Sequence, residues 1–235
     1  RVWVTAGTGA EVLDGSTGQV LATFDDVAVA GASPDGATVY LRGRNQRVVS
    51  LFDAESVSRI RSVMLPAEFR FLGGLAFDGS AVFTQSWGER EAPVLAGADL
   101  TSGSLRFSVA LTGPAGASGY APVAVSFEAG RLLLTGNVGT VGGRQVGALT
   151  EIDRATGLPR RSYASAFFTK TQLGGVEASG GRLYAIGGRS PGCGRDHLAA
   201  LDAATGDLVD AFRPGVGSDV RAVASGERLL LWGPD

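Results

Sequence analysis

The sequence predicts an all-β protein, and three observations carry that prediction. Glycine supplies 36 of the 235 residues, about twice its usual share, and the glycines separate short β-branched and aromatic runs, as turns separate strands. No credible helix lies between these runs. The chain also contains an internal repeat with a mean period of 47 residues. Four short strands in a repeat of about that length are typical of the blades of a β-propeller, four-stranded antiparallel sheets set in a ring.

The repeated unit is an apolar strand ending in aspartate, then two variable residues, Thr-Gly and a second apolar strand. An aspartate carboxylate can accept the backbone N–H two residues further on, and glycine adopts the positive φ that closes a bulged hairpin. Turn-forming Asp is therefore a stronger interpretation than calcium ligands or glycosidase carboxylates. We assign turn roles to five aspartates, the copy at residue 53 being degenerate, and to four glycines: Asp14, Asp53, Asp99, Asp153, Asp202, Gly18, Gly103, Gly157 and Gly206.

A second hairpin lies between successive aspartate motifs. A strand of small residues precedes each of its turns and a stiffer strand follows, as small inner strands near a crowded axis require. The turns lie at 34–36, 78–79, 128–130, 179–181 and 225–227. Val57, Ile60 and Met64 fall at helical spacing, but register with the other repeats predicts the outer strand of the second blade there.

The prediction is a single β-propeller domain over residues 1–235, with about five blades. One strand is left over, because 2–6 is a sixth copy of the stiff second strand. Either the C-terminal inner strand 220–224 completes the blade begun by 2–6, which leaves 228–232 surplus, or the chain is a segment of a larger ring. The start at Arg1, without methionine or leader, favours the segment.

The best-preserved repeats carry a family resemblance. Residues 134–143 (LTGNVGTVGG) lead to 149–153 (LTEID), and 184–188 (YAIGG) lead to 198–202 (LAALD). This resembles the bacterial delta-60-type β-propeller repeat, in the group of PQQ-binding-like and YVTN propellers, most strongly from Leu132 to Trp232. The resemblance implies an extracytoplasmic bacterial protein, secreted, periplasmic or at the cell surface, with other domains in the same chain and no assigned activity.

Enzymes of that wider group, the quinoprotein dehydrogenases, carry a tryptophan eight residues after the repeat aspartate. None of the corresponding positions here is tryptophan, and one cysteine, Cys193, cannot form their vicinal pair. We therefore expect no PQQ and no other cofactor. Cys193 and His197 could supply two metal ligands, but metal sites usually need three or four, so we expect a surface turn and no metal.

Overall charge and hydropathy exclude two partner classes. The formal charge of −2 offers no overall basic footprint for nucleic acid. No apolar run approaches the ~20 residues that span a bilayer, so we expect no membrane insertion.

One basic pattern suggests a ligand. The loops that enter the aspartate-ended strands carry arginines at equivalent places in the repeat, which could hold an anionic ligand bidentately. Each could instead pair with a nearby acid such as Glu89, Glu91 or Asp196. Trp87 stands at one of these loops and could be a sugar platform, a protein hot spot or a cover for the blade edge; Trp3 and Trp232 lie in stiff strands and should pack between blades. The predicted ligand-binding face comprises Arg47, Trp87, Arg90, Arg144 and Arg195.

These residues favour a non-enzymatic binding or scaffold module that recognises a protein or glycan through that loop face. The alternative is a propeller hydrolase or lyase acting on a carbohydrate or lactone at the central channel. Fold alone does not decide between them. A deep axial pocket with two convergent acids would favour the enzyme, whereas a plugged channel and a broad loop face would favour the binder.

Overall fold

A computed structural model of the chain describes residues 1–6, 9–43, 47–69, 72–86, 93–113, 124–163, 173–187, 198–212, 221–225 and 228–232. These residues are nearly all β, and five antiparallel sheets are arranged as a five-bladed β-propeller. The predicted fold class is therefore confirmed. The only helical element in the described ranges is a short 3-10 turn, Ala67–Phe69, between the second and third sheets. No helix in these ranges is long and apolar enough to cross a bilayer.

Each sheet takes its strands in chain order. The first contains β1 (Val2–Ala6), β2 (Gly9–Leu13) and β3 (Val20–Phe24). The second contains β4 (Val27–Ala32), β5 (Thr38–Gly43), β6 (Val48–Asp53) and β7 (Arg59–Met64). The third contains β8 (Leu72–Phe77), β9 (Ala81–Ser86), β10 (Val94–Asp99) and β11 (Leu105–Thr112).

The fourth sheet contains β12 (Ala124–Glu128), β13 (Arg131–Thr135), β16 (Leu149–Ile152) and β17 (Pro159–Ser162). The fifth contains β18 (Leu173–Ser179), β19 (Arg182–Gly187) and β20 (Leu198–Asp202). Strands β21 (Arg221–Ser225) and β22 (Arg228–Trp232) form a separate hairpin. The inner strands β4, β8, β12, β18 and β21 follow one another as neighbours.

Alternation of side chains along the strands builds a core between each pair of neighbouring sheets. In β13, Leu132 and Leu134 face the third sheet, whereas Leu133 faces the fifth. Trp3 packs between the first and second sheets, stacked on Phe24 with ring centroids 5.7 Å apart. Its indole Nε1 donates to the carbonyl of Ala54 at 3.0 Å, so the predicted packing role of Trp3 is confirmed.

The predicted outer strand of the second repeat is also confirmed. Residues 59–64 form β7, antiparallel to β6, and Val63 pairs with Val49. The helical spacing of Val57, Ile60 and Met64 is incidental, because the strand leaves Ile60 and Met64 exposed on one face while Val63 is buried on the other.

One strand prediction is wrong, and one of the two alternatives for the leftover strand lacks the pairing that it requires. Residues 203–212, the part of the fifth repeat described after Asp202, form no outer strand: Leu208 makes one bridge to Leu201, and the Phe212 N–H then donates to the Val209 carbonyl. In the described strands, moreover, β21 pairs with β22 and β1 pairs with β2. In the strands that the structure describes, the C-terminal inner strand therefore forms no ladder with the first sheet.

The glycine-rich stretch 136–143 forms a hairpin, as its composition indicates. Strands β14 (Thr140–Val141) and β15 (Arg144–Gln145) leave the fourth repeat: β14 pairs with the end of β11, and β15 pairs with β14. The third sheet thereby gains two strands at its outer edge.

Candidate functional site

The repeat aspartates order their own turns. In the first copy, Asp14 Oδ1 accepts the N–H groups of Ser16 and Thr17 at 3.0 Å, and the Gly18 N–H donates to the Asp14 carbonyl. Hydrogen bonds from the hydroxyl of Ser16 and the N–H of Thr17 hold the pKa of the Asp14 carboxyl far below its usual range. The same two-N–H pattern recurs at Asp99, Asp153 and Asp202, while Asp53 accepts from both the N–H and the hydroxyl of Ser56.

The glycines that end these turns also touch the preceding sheet. Gly103, Gly157 and Gly206 have φ between +73° and +83°. A Cβ on Gly157 would lie 2.3 Å from the Phe107 ring, and one on Gly206 would lie 2.9 Å from Tyr163. The turn glycine thus serves both the backbone conformation and the close approach of neighbouring blades.

Two arginines outside the predicted face donate hydrogen bonds to backbone carbonyls of the Asp202 turn. Arg161 donates to the carbonyls of Ala204 and Thr205, and its guanidinium lies 4.8 Å from the centroid of the Tyr163 ring. Arg131 donates to the Ala203 carbonyl at 2.6 Å. These hydrogen bonds link the fourth sheet to the fifth. No pattern in the sequence indicates this structural role.

The predicted ligand-binding face is described at two of its five residues. Arg47 lies directly before β6 and donates to the Leu65 carbonyl at 3.4 Å. Arg144 is exposed in β15, on the outermost strand of the third sheet. These two residues therefore occupy different positions in their repeats. The other residues singled out from the sequence lie outside the described residues: Trp87, Arg90, Arg195, Cys193 and His197.

A cleft between the first and second sheets is a candidate site. Its volume is about 520 Å³, within the range of small-ligand sites. Phe24 of the first sheet and Val48, Ser50 and Phe52 on one face of β6 line it. A smaller cleft of about 220 Å³ on the same seam is lined by Trp3 and shares Leu41 with the first. The interface of these two sheets is thus partly open.

Charged groups line the larger cleft. Asp25 and Asp26 form the two-residue link from β3 to β4, and Arg59 begins β7. All three are exposed, and in the described ranges none of their side chains takes part in an ion pair or a hydrogen bond. Charge that other side chains do not neutralise is available to a ligand.

Two residues of the cleft have a backbone conformation that side chains disfavour. Asp26 has φ +53° and Val57 has φ +61°. Val57 takes the place that glycine holds in the other four turns, where Gly103, Gly157 and Gly206 lie against the preceding outer strand. The branched side chain at this position instead lines the open cleft. Its only sequence signal was the missing glycine of the degenerate repeat.

Two glutamates on neighbouring inner strands form a second candidate site. Glu128 ends β12, and Glu177 lies in β18 of the next sheet. Burial, and then the charge of Glu177, raise the pKa of Glu128 to about 7, although the Ala178 N–H donates to its carboxylate. Across the residues described, no three His, Cys, Asp or Glu side chains are grouped as metal ligands.

Comparison with solved structures finds other β-propellers. A chain of the mitotic checkpoint complex matches with a TM-score of 0.57 and 17% identity, over 88% of this chain and 58% of that one. BamB from Moraxella catarrhalis matches with a TM-score of 0.51 and 18% identity, over 88% and 62%. The chain therefore spans about three fifths of the length of each. These identities support the fold alone. No protein-family model matches the sequence, and no curated protein does.

Proposed function

We propose that this propeller is a non-enzymatic binding module of an extracytoplasmic bacterial protein, and that it recognises a protein or glycan through the cleft between its first two sheets. The cleft itself carries the proposal, because an apolar floor with a few unneutralised charges at its rim is the usual make-up of a binding site. The cleft reaches the loop end of the second sheet at Gly43 and Val48, beside Arg47 of the predicted face.

The wider setting of the proposal comes from the sequence repeats. Their resemblance to the delta-60-type repeat supports an extracytoplasmic bacterial protein in which this propeller, residues 1–235, is one domain beside others. The propeller fold supports a binding or scaffold role of a general kind.

A cleft-filling variant tests the proposal. Ser50 is half-buried in the middle of the cleft, so Ser50→Trp should obstruct it while leaving the core in place. The matched control is Ser108→Trp, which changes an exposed serine of β11. The two variants and the parent protein are applied to arrays of bacterial surface glycans and of overlapping peptides.

At least one glycan or peptide should bind the parent protein and Ser108→Trp but not Ser50→Trp, provided that both variants melt within a few degrees of the parent. The proposal is wrong if every ligand found binds Ser50→Trp as well as it binds the parent.

A second candidate function is a hydrolase or lyase, and the two inner-strand glutamates favour it. A carboxyl with a pKa near 7 can donate a proton at neutral pH while an ionised partner assists. Glu128 would be the acid and Glu177 the ionised partner. Hydrolysis of nitrophenyl glycosides and lactones tests this function. Turnover that is lost in Glu128→Gln and kept in Glu55→Gln would establish the enzyme; no turnover would exclude it for those substrates.

A further inference from the structure

We infer that the cleft between the first and second sheets binds a short, extended, apolar peptide with both termini charged, its ammonium group at Asp25 and Asp26 and its carboxylate at Arg59. The inference rests on the proposed function, since it names the occupant of the same cleft.

The charges of the cleft lie at opposite ends of β6. Val27, directly after the two aspartates, pairs with Gly43 at the loop end of the second sheet. Arg59 pairs with Phe52 at the other end, next to the Asp53 turn. Between Val48 and Phe52 the strand advances four residues, roughly 13 Å. The two aspartates precede β4 and Arg59 begins β7, the opposite edge strands of this sheet, three strand spacings or about 14 Å apart. Along and across the sheet together, the backbones at the two ends are therefore roughly 19 Å apart. The side chains of Arg59 and the aspartates line the cleft and cover part of that distance, which leaves room for an extended peptide of about three residues.

The floor between these ends suits apolar side chains. Phe24, Leu41, Val48 and Phe52 line it. Its polar side chain is Ser50, whose hydroxyl lies 2.9 Å from that of Ser62 and can still accept from a peptide N–H. An extended peptide alternates its side chains, so its first and third residues can both face this floor.

Charge complementarity selects the occupant. A glycan would leave the two aspartates and Arg59 without partners of opposite charge, and a uniformly acidic or basic ligand would be repelled at one end. A peptide with a free amino terminus and a free carboxylate satisfies both ends. A guanidinium also binds a terminal carboxylate bidentately.

The probe is trivaline, titrated into the protein and followed by backbone amide chemical shifts. Acetylating its amino group and amidating its carboxylate should each weaken binding about tenfold. Arg59→Gln should weaken trivaline binding about tenfold and leave the amidated peptide unaffected. The double variant Asp25→Asn, Asp26→Asn should weaken trivaline binding about tenfold and leave binding of the acetylated peptide unaffected. Asparagine suits the positive φ at residue 26.

Arg61→Gln is the matched control, since Arg61 is an exposed arginine of the same strand that does not line the cleft. It should bind trivaline as the parent does. The inference is overturned if trivaline does not bind, if the blocked peptides bind as well as trivaline, or if Arg61→Gln and Arg59→Gln have the same effect. If trivaline fails while Ser50→Trp still abolishes binding of an arrayed ligand, the peptide is the wrong occupant and the proposed function stands. If Ser50→Trp abolishes nothing, the proposed function itself is wrong.

Discussion

Glu128 couples the stability of the seam between β12 and β18 to pH. Burial beside the ionised Glu177 raises the pKa of Glu128 from 4.5 to about 7 in the folded protein. The folded state therefore holds this proton more tightly than the unfolded chain does. The stabilisation is fully present below about pH 4.5 and is lost as the pH rises through about 7.

The size of the effect follows from the shift. At roughly 1.4 kcal/mol per pKa unit, a rise from 4.5 to about 7 corresponds to about 3 kcal/mol. The side chain is only partly buried, and screening by solvent reduces the expected loss to about 2 kcal/mol. This is a large fraction of the ~5–15 kcal/mol that stabilises a typical domain.

Urea denaturation measures the loss directly. The free energy of unfolding is determined from about pH 4 to about pH 9 for the parent, Glu128→Gln and the exposed control Glu55→Gln. The parent should lose about 2 kcal/mol relative to Glu128→Gln across this range, and Glu55→Gln should follow the parent. Glu177→Gln should move the transition to lower pH. Parallel profiles for the parent and Glu128→Gln would refute the reasoning.

Three further predictions concern the turns and the loop face. Val57→Gly should raise the free energy of unfolding by about 1 kcal/mol, because glycine removes the strain of a positive φ. Gly157→Ala should lower it by more than about 2 kcal/mol, since both its φ of +73° and the Phe107 ring oppose a Cβ, whereas Gly36→Ala, with φ +70° and open space, should lose about 1 kcal/mol. If the predicted arginine face binds anions, heparin should bind in a salt-sensitive way and Arg144→Gln should weaken it.

Each of these has its own contrary result. Urea denaturation that places Gly157→Ala and Gly36→Ala at equal stability would show that the Phe107 contact does not restrict the glycine. A Val57→Gly protein less stable than the parent would show that the valine side chain contributes more than its backbone strain removes. Heparin binding that salt does not weaken would end the anion hypothesis.

What the sequence could predict depended on how far apart the interacting residues lie. The hydrogen bonds that close the Asp14 turn join residues within five consecutive positions, so the turn could be predicted from the local motif. The outer strand β7 was predictable because other repeats supplied its register. In contrast, β14 pairs with β11, and Arg161 donates to a carbonyl of the next sheet. These contacts join residues about 30 to 45 positions apart, and no local sequence pattern predicts them.

The cleft could not be predicted from the sequence, because the residues that line it are also far apart in the chain. It arises where a two-residue link, Asp25-Asp26, brings the second sheet directly after the first, and where Val57 replaces a turn glycine. Each feature alone is a small departure from the repeat. Only the packing of β6 against the first sheet shows that both lie on one opening.

Backbone strain and the cleft coincide in a way that can be separated experimentally. Of the three non-glycine residues with positive φ in the ranges described, Asp26 and Val57 line the cleft, and Ala129 closes the hairpin from β12 to β13. A two-residue hairpin requires positive φ, so local geometry accounts for Ala129. At residue 57 glycine would fit, and the other four repeats have it. If the Val57 side chain contributes to ligand binding, Val57→Gly should be more stable than the parent but should bind the cleft ligand less tightly. Ala129→Gly should be more stable and should bind the ligand as the parent does. Equal binding by the two variants would mean that the strain at Val57 has no connection with the cleft.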